Sequence, residues 1–480
     1  HAVKPLPTII PIYGWLSGLL NAPLKFLNLL DKPSERGALV IKIGLTLYDV
    51  FTRSQRVMPT HSFASRTSSL EHFPEINPKI IYTATYYDAY MPSPERICME
   101  LILDAEQQSS TARSLNYVSM IGGDRESVQL QDELTGEIVT VRPRLLINAA
   151  GPWIDFVNRA ARQETRFIGG TKGSHLVVDH PRLYELLDGH EFYFENKDGR
   201  ICLLLPFEGR VMIGSTDIRV DDPDTAICTD DEIDYMLELV RRNFPTLDVN
   251  RSHIVFQFAG VRPLPASTSA VTQQISRDHS IRVVEPHQDL AFPIYSLVGG
   301  KWTTFRAFAE QTADKALAFL GRPREVSTRE MAFGGGIDFP KDEPARDSWL
   351  NRLQSRTGLP LDRLETLFTR YGTRAETIAN FLAAGPDEPL KSHPGYSVRE
   401  IQYITQFEKV EHVDDILLRR SLIAWVGEVN GAVLEEIARV VGGVLGWDQT
   451  RIHAEVERAS EILQRKHGVK PEVLAAQVLS

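Results

Sequence analysis

Residues 297–306 read Leu297-Val298-Gly299-Gly300-Lys301-Trp302-Thr303-Thr304-Phe305-Arg306 and predict a strand that turns directly into a helix. The two glycines let the backbone approach a ligand closely. The hydroxyls of Thr303 and Thr304 suit a helix start, where four backbone N–H groups lack partners within the helix. These N–H groups, the helix dipole and the cation of Lys301 favour a ligand that is anionic or gains negative charge. An ordinary joint with an exposed lysine is the alternative.

Another joint of the same kind lies earlier in the chain, and it is called the first joint, with residues 297–306 as the second. The apolar run at 145–147 continues into Asn148-Ala149-Ala150-Gly151-Pro152 and then into a helix. Trp153, Phe156, Val157 and Ala160 fall at helical spacing and give that helix one apolar face. The small residues between strand and helix again leave the backbone open to a ligand.

Composition indicates a packed protein and excludes several classes of function. The 480 residues are 42% hydrophobic and 24% charged, and their number suits about two to four domains. The net charge of −10 and the lack of a basic run with interleaved aromatic residues argue against nucleic-acid binding. Cys98, Cys202 and Cys228 form no CxxC pair, so neither a disulfide framework nor a metal site is expected, and a reducing compartment fits.

One apolar segment near the start of the chain bears on membrane contact. No run of about 18 apolar residues exists, so no transmembrane helix is predicted. Residues 11–30 are nonetheless strongly apolar, with Lys25 as their single charge. This segment could rest on a membrane surface through Trp15 and its leucines, or it could pack against the protein.

Residues 166–300 read mainly as strands that one helix interrupts. A turn at Asp198-Gly199 between two apolar stretches is typical of an antiparallel hairpin. The helix has Thr229 as its N-cap, and Glu232 closes a capping box. Residues 347–480 read instead as helices, predicted over 361–371, 375–383, 398–408, 413–426, 431–441 and 450–466.

Polar side chains cluster at the ends of the predicted strands; they include His175, Arg200, Asp217, Arg262 and Arg277. Guanidinium groups that face one cavity would bind a phosphate or a carboxylate. A histidine beside them could accept a proton near neutral pH. Taken singly, each arginine could be solvated or paired, His175 could be an ordinary histidine, and Asp217 could cap a turn.

Together these motifs resemble the FAD-dependent glycerol-3-phosphate dehydrogenases. The matching pieces, in order, lie at residues 147–153, 172–175, 213–217, 260–264, 276–278 and 299–306. The resemblance implies a partial FAD-binding domain of the glutathione-reductase type, interleaved with an antiparallel-sheet substrate domain, and an all-helical C-terminal domain. The flavin-dependent region is expected over residues 1–330, with its substrate sheet mainly at 60–92 and 166–297, and the helical domain over 331–480.

The resemblance also implies a reaction, in which sn-glycerol 3-phosphate is oxidised to dihydroxyacetone phosphate by hydride transfer to FAD and the electrons pass to a membrane quinone. Catalysis would fall to His175 as the base, with Lys301 and Arg262. The substrate would be held by Arg200, Arg262, Arg277 and Lys301. The cofactor would be held by Asn148, Ala149, Ala150, Gly151, Gly299, Gly300, Lys301, Trp302, Thr303 and Thr304. A homodimer and a cytoplasmic location, peripheral on the inner face of the cytoplasmic membrane, are further expectations.

One element that opens this family's chains is not found in the 480 residues: a strand, a GxGxxG turn and a helix that hold the FAD pyrophosphate. The chain is therefore expected to be a truncated piece of a longer enzyme, or its flavin anchor is supplied elsewhere. Two other interpretations stay open. One is a different FAD-dependent oxidoreductase that acts on amino or hydroxy acids, and the other is a non-catalytic binding protein.

Overall fold

A computed structural model describes residues 2–15, 37–53, 58–195, 200–267 and 278–475. Its strands are β1 (Lys4–Ile12), β2 (Ser62–Ser65), β3 (Tyr82–Tyr90), β4 (Val118–Gly123), β5 (Val128–Asp132), β6 (Ile138–Val141), β7 (Leu146–Asn148), β8 (Thr171–Val178), β9 (Glu191–Glu195), β10 (Ile201–Phe207), β11 (Arg210–Gly214), β12 (Ile218–Arg219), β13 (Ile254–Arg262), β14 (Ser280–Val284) and β15 (Ile294–Val298).

The α-helices are α1 (Ala38–Phe51), α2 (Arg66–His72), α3 (Pro94–Gln108), α4 (Ile154–Ala160), α5 (Pro181–Leu187), α6 (Asp230–Asn243), α7 (Phe305–Phe319), α8 (Glu343–Thr357), α9 (Leu361–Tyr371), α10 (Ala375–Ala383), α11 (Val398–Phe407), α12 (Val413–Asp415), α13 (Gly431–Leu445), α14 (Gln449–His467) and α15 (Pro471–Leu474). None of the helices described is long and apolar enough to cross a membrane.

Nine strands form the largest sheet, in which β1 joins two parts. β1 pairs antiparallel with β3 and parallel with β9, the latter through Thr8 and Ile9. From β9 the sheet continues through β10 and β11 to β8, whose first two residues pair with β12, and β13 pairs with β8 along its length. Apart from the β1–β9 pair, these pairings are antiparallel, as the substrate sheet was predicted to be.

Alternation along β8 divides its side chains between two cores. Leu176 and Val178 pack in a cluster that includes Met236 of α6. Val177 faces the other way, into a cluster that includes Ile416 and the helices of the C-terminal region. Because successive side chains of a strand point to opposite faces, the end of β8 that is covered on both faces, residues 176–178, is apolar at every position.

Two smaller sheets complete the β-structure, a meander of β4, β5 and β6 and a sheet in the order β14-β15-β7. In the latter, β15 runs parallel to β7 and antiparallel to β14. The mixed sheet, the antiparallel sheet and the helical C-terminal region confirm the predicted fold class. The domain boundaries at 330 and 331 stay a prediction.

The helix predicted over 413–426 is shorter than expected. α12 passes into one π-helical turn at Ile416–Arg420 and then ends. The Ser421 hydroxyl donates to the Ile416 carbonyl oxygen (2.7 Å), and the Trp425 indole N–H donates to the Leu418 carbonyl oxygen (3.0 Å). Side chains thus take carbonyl groups that a continuing helix would use.

Candidate active site

The two predicted strand–helix joints lie side by side. In the parallel pair of β7 and β15, Leu146 lies opposite Ile294 and Asn148 opposite Ser296. Both strands therefore end at the same edge of the small sheet, and each is followed by a 3-10 turn and an α-helix. The carboxyl edge of parallel strands is where nucleotide ligands usually bind in such sheets.

Asn148 shapes the first joint from inside. Its amide nitrogen donates to the Ile154 carbonyl oxygen (2.9 Å) and to Oδ1 of Asn158 (2.8 Å), and its own Oδ1 accepts from the Ala150 N–H (3.2 Å). The side chain is 3% exposed, so it supports the turn rather than facing a ligand. Gly151 follows with φ of +59°, and no described atom lies within 4 Å of where its Cβ would be. The open backbone here, with exposed Ala149, fits a large planar cofactor such as FAD.

Gly299 and Gly300 hold the second joint in a left-handed backbone conformation, with φ of +78° and +97°. A Cβ on Gly299 would overlap the carbonyl oxygen of Asp278. Beyond the glycines, Lys301, Trp302 and Thr303 are exposed. The Lys301 N–H donates to Thr304 Oγ1 (3.1 Å), so this threonine caps the turn. The joint therefore presents a cation and open backbone, as an anionic ring edge requires.

Arg262 ends β13 beside the second joint, because the Gly299 N–H donates to the carbonyl oxygen of the next residue, Pro263 (3.2 Å). The Arg262 guanidinium donates to Ser215 Oγ (2.6 Å) and to Asp217 Oδ1 (3.3 Å). It also lies against Gly173, where a Cβ would overlap it. The Arg262 side chain is 27% exposed. Its orientation is set by these contacts, while part of it stays open to an anion.

His175 lies near Arg262 on the same face of β8. Its ring stacks on Phe258, with 4.7 Å between ring centroids and 5° between planes, and abuts Gly214. The Nδ1 atom is buried and has no hydrogen-bond partner among the described residues. Burial, and then the positive charge of Arg262, lower the pKa of His175 to about 4. The imidazole is therefore neutral at neutral pH, with a lone pair on one ring nitrogen.

A buried polar network on the opposite face of β8 fixes the turn at 215–217. Glu232 of α6 accepts hydrogen bonds from Lys172 Nζ (2.7 Å), Ser174 Oγ (2.9 Å) and Thr216 Oγ1 (2.6 Å). Burial alone would raise the pKa of Glu232, but these donors hold it below its usual range. The Arg262 guanidinium donates to the Thr216 carbonyl oxygen (3.2 Å) as well as to the side chains of Ser215 and Asp217, so the network connects α6 to that guanidinium.

The capping role predicted for Glu232 is confirmed, because the capping box with Thr229 is present. Its reach to Lys172 was missed. Glu232 and Lys172 are 60 positions apart in the chain, and only the packing of α6 against the sheet brings them together. The lysine in the 172–175 motif was the available signal, since a buried strand seldom carries a lysine without a carboxylate partner.

The remaining predicted residues do not all join this group. The Arg200 guanidinium lies 5.9 Å from the ring centroid of Tyr235. Tyr235 belongs to α6, which covers the face of β8 opposite His175. Arg277 lies outside the described residues. The structure thus brings together His175, Arg262 and the two joints, and sets Arg200 apart from them.

Comparisons with known proteins identify the family and the fold. The family model described as FAD dependent oxidoreductase matches residues 34–314, and that of the C-terminal domain of alpha-glycerophosphate oxidase matches 326–452. A glycerol-3-phosphate dehydrogenase of Synechocystis sp. is 29% identical over 97% of this chain and 83% of its own. The mitochondrial glycerol-3-phosphate dehydrogenase of Mus musculus is 27% identical over 98% of this chain.

The chain spans 62% of the length of that mouse protein. Among solved structures, the glycerol-3-phosphate dehydrogenase of Bacillus halodurans, complexed with FAD, matches with a TM-score of 0.72 at 21% identity. The match covers 96% of this chain and 82% of that one. It supports the fold: a flavin-binding sheet, an antiparallel sheet and a helical C-terminal region.

Proposed function

Because the chain belongs to the family of FAD-dependent oxidoreductases, we propose that it oxidises sn-glycerol 3-phosphate to dihydroxyacetone phosphate. One observation carries the proposal: a partly exposed guanidinium lies beside the glycine-lined joint at the end of β15, and a neutral imidazole lies near that guanidinium. The names of the relatives and the match of the helical region to alpha-glycerophosphate oxidase support this substrate over others.

The cofactor would be held mainly by backbone. The open turn at 148–151 and the joint at 299–304 line one edge of the small sheet, and Lys301 adds a positive charge there. FAD, when bound, supplies a two-electron acceptor for the hydride that leaves C2 of the substrate. Hydrogen-bond donors and a cation that are already fixed where negative charge develops stabilise the transition state most, because they need no reorganisation during the reaction.

Substrate handling would fall to Arg262 and His175. Arg262 would bind the phosphate, because a guanidinium fork matches phosphate oxygens and Ser215 and Asp217 already orient it. His175 would accept the C2 hydroxyl proton on its neutral imidazole. Lys301 would lie between cofactor and substrate. A contribution of Arg200 and Arg277 to phosphate binding rests on the family resemblance alone.

The test is anaerobic reduction of the protein incubated with FAD. Bound flavin should give an absorbance band at about 450 nm. Addition of sn-glycerol 3-phosphate should bleach this band, whereas lactate and glycine should not. Bleaching by lactate or glycine instead would favour an oxidoreductase of hydroxy or amino acids. Failure to acquire any flavin band would favour a non-catalytic binding protein.

We further propose that electrons pass to a quinone and that α1 contacts the membrane surface. Leu39, Ile43 and Leu47 lie one turn apart on α1, and Leu47 is 63% exposed. Lys42 on the same helix would favour anionic lipid. Of the apolar segment at 11–30, predicted either to contact a membrane or to pack against the protein, residues 16–30 lie outside the described residues. Trp15 packs on Tyr82 with 5.0 Å between ring centroids.

Sedimentation with anionic vesicles tests the membrane contact. Leu47→Glu should reduce binding, because it places a carboxylate in the exposed stripe. Leu115→Glu is the matched control, since Leu115 is also exposed but lies outside α1. Equal binding by both variants would contradict a role for α1. The predicted homodimer stays a prediction.

A further inference from the structure

Two imidazoles and one carboxylate converge on the surface beside the turn between α5 and β9. His72 ends α2, while Asp188 and His190 lie between α5 and β9. One side-chain ligand atom from each residue lies within 4.8 Å of the other two. The cluster shares no helix, strand or turn with His175, Arg262 or the two joints, so it is separate from the proposed active site.

The backbone orients His190 for binding. Its Nδ1 lies 2.7 Å from the Asp188 carbonyl oxygen and 3.2 Å from that of Leu187. Because a carbonyl oxygen only accepts, Nδ1 must carry the proton, and Nε2 keeps a free lone pair. Metal-binding histidines are usually held in this way, with the other ring nitrogen donating to a carbonyl or a carboxylate.

The other two groups have matching geometry. Nε2 of His72 lies 3.3 Å from Oδ2 of Asp188. Two ligand atoms of a tetrahedral site with bonds of about 2.0–2.1 Å would lie at a similar separation. Buried Phe73 meets both imidazoles edge-on, with centroid distances of 4.4 Å to His72 and 5.5 Å to His190. Phe73 thus packs against both imidazoles from the protein interior, while the cluster stays open to solvent.

We propose that His72, Asp188 and His190 bind one divalent metal ion of borderline softness, best matched by Zn²⁺. Imidazole nitrogen and carboxylate oxygen are both good zinc ligands, and water would complete a four-coordinate site. The ion would join the end of α2 to the turn before β9. Its role is structural, because it clamps two segments that are distant in the chain and leaves no redox or catalytic step to perform.

The experiment is metal titration of the folded protein after chelation and dialysis. Calorimetry with Zn²⁺ should report one ion per chain, and Co²⁺ should give the visible absorption of a low-coordinate site. Both His72→Ala and His190→Ala should weaken Zn²⁺ binding by at least about tenfold, since even outer-shell partners contribute that much. Zn²⁺ should raise the Tm of the parent protein and not that of His190→Ala, because only a bound ion stabilises the native state.

His453→Ala is the matched control, because His453 is an exposed histidine that faces the carboxylate of Glu457 at 3.2 Å. It should bind Zn²⁺ like the parent protein. The three cluster side chains lie at or near the surface, and far-UV circular dichroism checks that each variant folds. Equal Zn²⁺ affinity in the parent protein and in the variant lacking both His72 and His190 would overturn the proposal, as would no binding by the parent protein. Neither readout depends on enzymatic activity.

Discussion

Replacing Glu232 with alanine tests how firmly α6 is tied to the large sheet. The side chains of Glu232 and Lys172 are 3% and 7% exposed, and their charged atoms lie 2.7 Å apart. The substitution leaves the Lys172 ammonium buried beside the Ile227 carbonyl oxygen and removes the acceptor of Ser174 and Thr216. Removing one partner of a buried ion pair costs about 3–5 kcal/mol. The free energy of unfolding should fall by about that amount.

Urea-induced unfolding, followed by fluorescence, measures the change. Glu238→Ala is the control on the same helix, because its carboxylate is 70% exposed and pairs with Arg241 at the surface. That variant should differ from the parent protein by less than about 0.5 kcal/mol. Adding Lys172→Met to Glu232→Ala should restore part of the stability, since the unpaired buried charge is gone.

A loss in Glu232→Ala no greater than in Glu238→Ala would refute the reasoning. The network would then not stabilise the junction of α6 with β8. The enzyme assay adds a second readout. Because the 215–217 turn holds Arg262, KM for sn-glycerol 3-phosphate should rise more than kcat falls in Glu232→Gln, which keeps the size of the side chain.

Four further outcomes are expected. Arg262→Ala should raise KM by about 10- to 150-fold, the loss of one charge-assisted contact of about 1.5–3 kcal/mol, whereas Arg200→Ala should change it little; equal effects would contradict the separation of the two arginines. The pKa of His175 is 6.5 in the unfolded chain and about 4 in the folded protein, so unfolding takes up a proton between pH 4 and pH 6.5. Acidification through this range should therefore lower the free energy of unfolding by about 1.4 kcal/mol per pH unit. Urea titrations should find a smaller slope in His175→Gln. Gly299→Ala should lower the Tm, because its Cβ would overlap the Asp278 carbonyl oxygen; an unchanged Tm would show that this backbone can shift. Lys301→Met should slow flavin reduction in stopped flow more than it weakens substrate binding, and unchanged reduction rates would remove Lys301 from the site.

Local chemistry made much of the site predictable. Glycine pairs, small residues and threonines identified both strand–helix joints, because helix starts and left-handed turns demand those residue types. That Asn148 and Ser296 lie side by side depends on strand register, which a single sequence does not define. The separation of Arg200 from Arg262 depends likewise on which face of the sheet α6 covers.

Other features escaped prediction for physical reasons. β1 was not predicted, since Pro5, Pro7 and Pro11 are unusual within a strand; its parallel pairing with β9 uses only Thr8 and Ile9, between prolines. The partners of Arg262 were missed as well. A serine and an aspartate at a turn are common, and only the folded chain shows that they hold a guanidinium.

The central position of β1 makes this strand a point of vulnerability. Among the described strands, it is the one hydrogen-bonded to both β9 and β3. Detaching it would open two sheet edges at once, and unpaired strand edges recruit other chains. Proteolytic cleavage after Ile12 is therefore expected to yield aggregated protein rather than a slightly shorter protein that stays in solution.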